Sequence, residues 1–501
     1  MLCSDIMKLR ILTIGISLNL NRRRFLFLSL AGATQLVRGV TSARAEPSLK
    51  KVQIVMGEER LGLVPVDYTG LSYEAPQLYN PAYFSETNTS LVEAFRKLSS
   101  HGVLRIGGNL SDVTRWKGPN GDFSTPKQTA GIEYGKTYWE WKLTDPSVRA
   151  NKDGAITPEA IRTLGRFLRA TDWKLIYGLN FGCGSAERAA EEAMYVTQEA
   201  GDRLLAFQVG NEADFFGGRP LFRQKPYDFD QYFREYGEFV DAVRARIPKA
   251  PFAGPDTATN MDWVDRFGQR VGTSAVMLSS HFYAMGPAKD PSMDAAFLLS
   301  HNKRLDQQIQ QAKQAVAHSD GLRFRMTEGN SCFGGGKPGV SDAFASALWG
   351  ADYMLTCASG GYCGVNLHGG GDGLYTPIAI GENLSTELRP LYFGMQFAEQ
   401  FAGWELQSCA VEGEASEGEA NLTAFLAHKG KERQLALINK DGAPVEVQLK
   451  GAIGVHHAGH AMRLSGPGLD AKDGVTLAEV KAPSGSTFSV NGYTALLLRW
   501  R

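Results

Sequence analysis

Residues 204–212 read LLAFQVGNE, a mostly apolar run that ends on a glycine, an amide and a carboxylate. Its length and its lack of helical spacing predict a buried β-strand. In barrels of parallel strands the chemistry lies where the strands end. The stretch therefore predicts a strand that delivers Asn211 and Glu212 to a functional face.

The chain beyond residue 60 alternates such runs with segments of helical spacing. The helix predicted at 157–170 opens with Thr157, Pro158 and Glu159, a typical N-cap, first-turn proline and early acid. Eight alternations predict a (β/α)8 TIM barrel, an α/β fold; a doubly wound open sheet is the alternative, but its Gly-rich phosphate turn is missing after the first strand. The predicted strands are 64–73, 103–107, 173–181, 204–209, 251–254, 276–283, 322–327 and 362–367, and the helices between them include 90–100, 157–170, 185–200, 228–247, 295–317 and 341–358.

From about residue 401 the pattern changes to short alternating runs divided by turns, which predicts an all-β sandwich domain. The early run 51–55 precedes the barrel and is expected to join that sandwich. The predicted domains are an export signal at 1–45, an N-terminal strand at 46–62, the barrel at 63–400 and the sandwich at 401–501.

The export signal rests on consecutive arginines at 22–24, an apolar run at 25–37 and the cleavage motif Ala43-Arg44-Ala45. This order predicts a twin-arginine signal peptide and a periplasmic or secreted protein. The apolar run is shorter than the roughly 20 residues of a membrane helix, so no stable membrane span is expected after signal removal. A second apolar stretch at 11–20 leaves a later start or an uncleaved anchor open.

Composition excludes several classes. The 501 residues include 53 Lys+Arg against 53 Asp+Glu and are 43% hydrophobic, as in an ordinary globular protein. Without a basic excess, nucleic acid is not an expected partner. The six cysteines form no C-x-x-C pair, so neither a metal site nor a disulfide framework is expected, although Cys357 and Cys363 could pair.

A second carboxylate, Glu328, follows the seventh predicted strand. Carboxylates ending strands four and seven suit glycoside hydrolysis, in which one attacks the sugar and the other holds a proton. Asn211 can hydrogen-bond a sugar hydroxyl near the reacting carbon. Either glutamate alone could be a loop acid, but the joint placement with Asn211 favours catalysis.

These residues belong to an ordered set that resembles glycoside hydrolase family 79, the β-glucuronidases and heparanase-like enzymes. The resemblance covers essentially residues 50–501. It implies a retaining mechanism without a cofactor, with a β-glucuronide as the carbohydrate substrate. The set comprises LSYE at 71–74, LRIGGN at 104–109, FQVGNE at 207–212, HFY at 281–283 and Glu328.

The resemblance also implies individual roles. Glu212 would be the acid/base, Glu328 the nucleophile and Asn211 a partner of the sugar 2-hydroxyl. Arg105 and Tyr283 would orient Glu328. The alternatives are a structural salt bridge for Arg105 and a core aromatic with a satisfied hydroxyl for Tyr283.

Two glycine-rich loops follow strands seven and eight, FGGG at 333–336 and HGGGDGLY at 368–375. A uronate needs hydrogen-bond donors without an opposing acid. In the family these loops clasp the uronate, which implies the Gly335 amide and the Tyr375 hydroxyl as its ligands and His368 as a polar neighbour. Phe333 replaces a tyrosine of several relatives, and Asp372 would repel a uronate if it faced the pocket.

Other polar residues leave alternatives open. Glu74 and Asn109, at the ends of strands one and two, are expected either to bind remote hydroxyls or to cap loops. The histidines at 456, 457 and 460 lie in the predicted sandwich and indicate a solvated loop rather than a metal site. Oligomeric state and the choice between chain-end and internal cleavage stay open.

The sequence therefore predicts an exported retaining β-glucuronidase that releases glucuronic acid or its 4-O-methyl derivative by double displacement. One alternative is a neutral-sugar β-glycosidase of the same clan. The other is a catalytically silent carbohydrate-binding barrel.

The export signal gives a first testable prediction. Replacing Arg22, Arg23 and Arg24 by lysine should leave active protein in the cytoplasm, because the twin-arginine route needs the arginine pair. Fractionation of the producing cells, followed by an activity assay, measures this. Unchanged export would show that the chain uses another route.

Overall fold

The computed structural model describes residues 49–121, 154–219, 222–370, 373–413, 420–450 and 459–501. Within these ranges eight parallel strands close into a barrel, which confirms the predicted fold class. The predicted export signal lies outside the described residues. In chain order, barrel strands one to eight are Thr69–Glu74, Val103–Gly107, Lys174–Leu179, Leu204–Val209, Phe252–Thr257, Met277–Met285, Arg323–Cys332 and Val365–Gly369.

Helices cover the outside of the barrel. The predicted helix at 295–317 is two helices, because Asn302 starts a new one by accepting hydrogen bonds from the Arg304 and Leu305 amides. No helix in the described ranges is both long and apolar enough to cross a bilayer. The helices are Thr89–Leu98, Pro158–Thr171, Ala186–Ala200, Phe229–Arg246, Met261–Val271, Ala295–Leu299, Lys303–Ala317, Phe344–Ser359 and Pro390–Glu399.

The barrel interior changes from apolar to polar along the strands. An apolar layer at the amino-terminal end includes Val103 and Ala206. Because side chains on one face of a strand repeat every two residues, Arg105 and Gln208 form the next layer. They are joined by a hydrogen bond of 2.8 Å from Arg105 Nε to Gln208 Oε1. The polar layer lies directly below the carboxyl ends of the strands.

Nine further strands form one sheet, which includes the N-terminal strand Lys50–Leu63, and four short strands form two separate pairs, Arg115–Trp116 with Ala155–Ile156 and Ile378–Ile380 with Thr386–Leu388. The N-terminal strand pairs antiparallel with Glu405–Gly413 and parallel with Val445–Lys450. Residues from strands far apart in the sheet order share one apolar core, so the sheet curls over on itself. The other strands are Leu422–Lys429, Glu432–Asn439, His460–Ser465, Thr476–Val480, Thr487–Val490 and Thr494–Trp500.

Cysteines in the described ranges are free thiols, and four of the five are buried. Cys357 and Cys363 are therefore not joined by a disulfide. Burial raises the pKa of the Cys357 thiol, as expected of an inert core residue.

Candidate active site

The two predicted catalytic glutamates meet at the carboxyl end of the barrel. Glu212 follows strand four in a left-handed conformation, with φ 53° and ψ 45°, and its amide donates to the Asp256 carbonyl at 2.9 Å. Such a conformation is uncommon for a residue with a side chain and is often found at active sites. Glu328 lies within strand seven. Carboxylate oxygens of Glu212 and Glu328 are within 4.8 Å of each other.

Glu328 is held by two donors. Arg105 Nη1 donates to its Oε2 and the Tyr283 hydroxyl donates to its Oε1, each at 2.7 Å. Burial would raise the pKa of Glu328, but His368, His281 and Arg105 and the Tyr283 hydrogen bond together hold that pKa well below its usual range. Glu328 is therefore an ionised carboxylate, which suits a nucleophile.

Arg105 is buried, and all of its polar hydrogens are engaged. Its guanidinium forms an ion pair with Asp256 at 2.6 Å as well as with Glu328. It also donates to Asn211 Oδ1 at 2.7 Å, so one side chain holds both Glu328 and the amide beside Glu212. Its other acceptors are Ser72 Oγ and Gln208 Oε1.

His281 and Asp256 belong to the site although the sequence analysis gave them no role. His281 Nδ1 lies 3.2 Å from Glu212 Oε1, and its Nε2 lies 3.2 Å from Asp256 Oδ2. Burial would lower the pKa of His281, but Asp256 and Glu328 raise it to about 10. The ring is therefore an imidazolium between two carboxylates. His281 was present in the quoted HFY motif, whereas Asp256 had only its place at the end of strand five as a signal.

Glu212, His281 and Glu328 together form a group with enough ligand atoms for a metal ion. A metal needs the neutral imidazole as its ligand. Because Asp256 and Glu328 keep His281 protonated, the group fits an acid/base site better than a metal centre. Of the other histidines considered, His460 lies 3.0 Å from Glu479, and those at 456 and 457 lie outside the described residues.

Glu212 also has a cation on its other side. Arg219 Nη2 lies 3.3 Å from Glu212 Oε2, and its Nη1 donates to Asn109 Oδ1 at 3.1 Å. The same Asn109 oxygen accepts from Asn211 Nδ2 at 3.2 Å. Asn109 thus links Arg219 to Asn211. Arg219 was missed because nothing in the sequence distinguishes it from other loop arginines.

Asp112 sets the backbone position of this segment. Its carboxylate accepts from the Asn211 amide at 3.0 Å and from the Gly182 amide at 2.9 Å. Burial raises the pKa of Asp112 to about 7, although these amides lower it. The end of strand four is thereby tied to the end of strand three.

A cavity of about 420 Å³ opens above the two glutamates. It contains every predicted site residue except Arg105 and Asn211, which are buried beside it. Phe215, Thr259 and Arg304 line it without having been predicted. The predicted lining residues are Glu74, Asn109, Glu212, Tyr283, Glu328, Phe333, Gly335, His368 and Tyr375.

One end of the cavity combines the two glycine-rich loops. Gly335 has φ 99°, a conformation that favours glycine, and Phe333 beside it is 46% exposed. The Tyr375 ring centre lies 6.3 Å from that of Tyr283 and 5.9 Å from that of His368. The predicted uronate ligands thus lie next to Tyr283, which donates to Glu328. Asp372 lies outside the described residues.

Glu74 faces this end but is engaged on both oxygens. Its Oε2 accepts from the Leu110 amide at 2.9 Å, and its Oε1 lies 3.6 Å from His368 Nε2. His368 Nδ1 in turn lies 3.1 Å from Ser72 Oγ. Glu74 therefore anchors the loop after strand two while it lines the cavity.

The fold and the paired strand-end acids are those of a glycoside hydrolase. No family model matches the chain. It is 25% identical over 238 residues to a β-glucuronidase of Aspergillus niger, a match covering 42% of this chain and 44% of the relative. It is 22% identical to heparanase-like protein 3 of Arabidopsis thaliana, a match covering 85% of this chain and 81% of the relative. It is 25% identical to a β-glucuronidase of Neurospora crassa, a match covering 62% of this chain and 58% of the relative.

Solved structures agree in fold. A 4-O-α-L-rhamnosyl-β-D-glucuronidase from Fusarium oxysporum superposes with a TM-score of 0.66 at 17% identity, covering 89% of this chain and 99% of that one. A family 51 arabinofuranosidase from Xanthomonas axonopodis superposes with a TM-score of 0.65 at 15% identity, covering 90% of this chain and 100% of that one. With the curated relatives, these findings make the chain a glycoside hydrolase similar to family 79. Its match spans less than half of the Aspergillus relative, so substrate and activity are inferred from its own site.

The His281 imidazolium predicts a pH dependence of stability. A histidine whose pKa rises from 6.5 to about 10 on folding adds stability that is complete below pH 6.5 and is lost as the pH rises through 10. The free energy of unfolding of the wild type should therefore fall across that interval more steeply than that of His281→Gln. Denaturant titrations of both proteins from pH 6 to pH 10.5 measure the difference. Parallel curves would show that His281 is neutral.

Proposed function

We propose that the protein is a retaining β-glucuronidase, which releases glucuronic acid from β-glucuronides. The observation that carries the proposal is the separation of Glu212 and Glu328, whose carboxylate oxygens lie within 4.8 Å. Retaining enzymes hold their acids about 5–5.5 Å apart, whereas inverting enzymes need roughly 6.5–9.5 Å to admit a water molecule. The spacing favours double displacement.

In the first step, Glu328 attacks the anomeric carbon while protonated Glu212 donates its proton to the leaving oxygen. In the second step, Glu212 removes a proton from water, which releases the sugar from Glu328. Arg105 and Tyr283 support these steps by keeping Glu328 ionised and oriented. Asn211 Oδ1 accepts from Arg105, and one hydrogen of its Nδ2 is donated to Asn109. The second Nδ2 hydrogen can therefore be donated to the sugar 2-hydroxyl.

The uronate assignment is supported by the loop end of the cavity. Gly335 and Tyr375 line it beside Tyr283 and offer an amide and a hydroxyl to a carboxylate. Two curated relatives are β-glucuronidases. A neutral-sugar β-glycosidase is the second candidate, favoured by Phe333, whose apolar ring lines the cavity and has no hydrogen-bond donor for a carboxylate. A silent binding barrel is disfavoured because it would need neither glutamate.

We further propose that the enzyme acts outside the cytoplasm. The arginines at 22–24 and the apolar run that follows them support export. The chain would then meet glycosides of the periplasm or the medium.

The two glutamates should differ when truncated. Glu212→Ala should still form the glycosyl-enzyme from aryl β-glucuronides with good leaving groups and be rescued by azide, because azide needs no general base to attack. Glu328→Ala should lack the covalent intermediate, since it has no nucleophile. Single-turnover kinetics and mass spectrometry of the trapped protein distinguish them. Identical behaviour of the two variants would contradict the assigned roles.

Uronate recognition should appear as a substrate ratio. The wild type should cleave an aryl β-glucuronide far faster than the matching β-glucoside. Tyr375→Phe should lower the ratio of kcat/KM for the glucuronide to kcat/KM for the glucoside about tenfold or more, because a hydrogen bond to a charged group contributes roughly 1.5–3 kcal/mol. Tyr195→Phe, at a helix residue whose ring packs at a tilt against Trp116 away from the cavity, is the matched control. Equal or faster glucoside cleavage by the wild type would favour the neutral-sugar candidate.

A further inference from the structure

A buried amide holds the glycine-rich loop that follows strand eight. Asn330 comes two residues after Glu328 on strand seven and is fully buried. Its Nδ2 donates to the His368 carbonyl at 2.6 Å and to the Tyr375 carbonyl at 3.1 Å. A primary amide has two N–H hydrogens, so both are used on this loop. Asn330 thereby ties the two ends of loop 368–375 to the strand that carries Glu328.

The oxygen of the same amide is connected to the other glycine-rich loop. Asn330 Oδ1 accepts from the Ser331 amide at 2.7 Å and lies 3.2 Å from Ser331 Oγ. Ser331 Oγ lies 2.8 Å from Ser341 Oγ, which accepts from the Lys337 amide at 2.8 Å. Lys337 directly follows the glycines of loop 333–336. Both serines are buried, where the low dielectric strengthens hydrogen bonds.

The two loops also touch each other. Gly336 has φ 99°, and a Cβ at this position would lie 3.0 Å from the Tyr375 backbone nitrogen and 3.0 Å from Leu374 Cβ. Only a glycine allows this approach without strain. The neighbouring Gly335 amide and the Tyr375 hydroxyl are the proposed uronate ligands. The distance between these two donors therefore depends on how closely the loops are held together.

A carboxylate depends on this distance more than a neutral hydroxymethyl group does. Its two oxygens have a fixed separation in one plane, so an amide and a hydroxyl can both donate to them only from matching positions. The hydroxymethyl group of a neutral hexose carries one hydroxyl that rotates to suit its partners. Movement of either loop would thus weaken glucuronide binding more than glucoside binding.

We propose that Asn330 is a positioning residue for uronate recognition. It sets the distance between the Gly335 amide and the Tyr375 hydroxyl, and so gives the enzyme its preference for a carboxylate over a hydroxymethyl group. This rests on the proposed function and assigns a specificity-determining residue within the same site. Asn330 does not line the cavity, so it acts through the two loops and not on the sugar itself.

The ratio of kcat/KM for an aryl β-glucuronide to kcat/KM for the matching β-glucoside tests the proposal. Asn330→Ala should lower this ratio about tenfold, mainly through a higher KM for the glucuronide, because the two donors lose their spacing. Asn439→Ala is the matched control. Asn439, in the nine-stranded sheet, is an equally buried amide whose Nδ2 donates to backbone carbonyls. Its variant should keep the wild-type ratio even if it lowers thermal stability by the same amount.

A double variant tests whether Asn330 acts through Tyr375. In the Tyr375→Phe background, Asn330→Ala should lower the ratio at most about threefold further, because the hydroxyl that it positions is already absent. A further tenfold loss would mean that the two residues act independently, which contradicts the proposal.

Ser341→Ala provides a second test if Asn330→Ala does not fold. It removes the acceptor of the Lys337 amide, keeps the Asn330 amide, and should lower the ratio about threefold. An unchanged ratio in the folded variants, or equal losses on both substrates, would overturn the proposal, since Asn330 would then only support the fold. A wild type that cleaves the glucoside as fast as the glucuronide would refute the proposed function as well. A preference for the glucuronide that survives Asn330→Ala would refute this proposal alone.

Discussion

The site depends on a guanidinium buried inside the barrel. Arg105 is 1% exposed and forms ion pairs with Asp256 at 2.6 Å and with Glu328 at 2.7 Å. Removing such a charge from water costs several kcal/mol, and that cost is recovered only if every donor finds an acceptor. Ser72, Gln208 and Asn211 supply the remaining acceptors. The positions of Glu328 and of Asn211, the amide beside Glu212, thus follow from the need to supply acceptors to one buried arginine.

Gly107, at the end of the same strand, leaves space for the Arg105 guanidinium because it has no side chain. A Cβ on Gly107 would lie 2.7 Å from Arg105 Cζ, and the guanidinium cannot move away without breaking its hydrogen bonds. His281 extends the same network, because it contacts Asp256 on one side and Glu212 on the other. The two buried cations, Arg105 and His281, therefore contact three carboxylates, those of Asp256, Glu328 and Glu212. Glu328 shares Arg105 with Asp256, while Glu212 contacts His281 and the more exposed Arg219.

Sequence patterns predicted the features that depend on local order. The apolar runs located all eight barrel strands, and the strand ends located Glu212 and Glu328. Contacts across the barrel were less accessible, because Asp256 and Arg219 acquire a role only when strands distant in sequence close into a ring. The strands Glu405–Gly413 and Thr487–Val490 give only a weak sequence signal, since their half-exposed, polar composition resembles that of loops. The break at Asn302 was hidden by apolar spacing that continues through both helices.

The proposed reaction makes different electrostatic demands on the two glutamates. Glu328 needs one state, the carboxylate, and Arg105, Tyr283 and the surrounding cations provide it. Glu212 needs two states, because it must donate a proton in the first step and accept one in the second. As a carboxylate it satisfies His281 and Arg219, but as an acid it leaves both facing a neutral group. The His281 charge is still balanced by Asp256 in that state. Arg219 in turn lowers the pKa of the buried Asp112 carboxyl, so protonation of Glu212 leaves neither cation without a neighbouring carboxyl group.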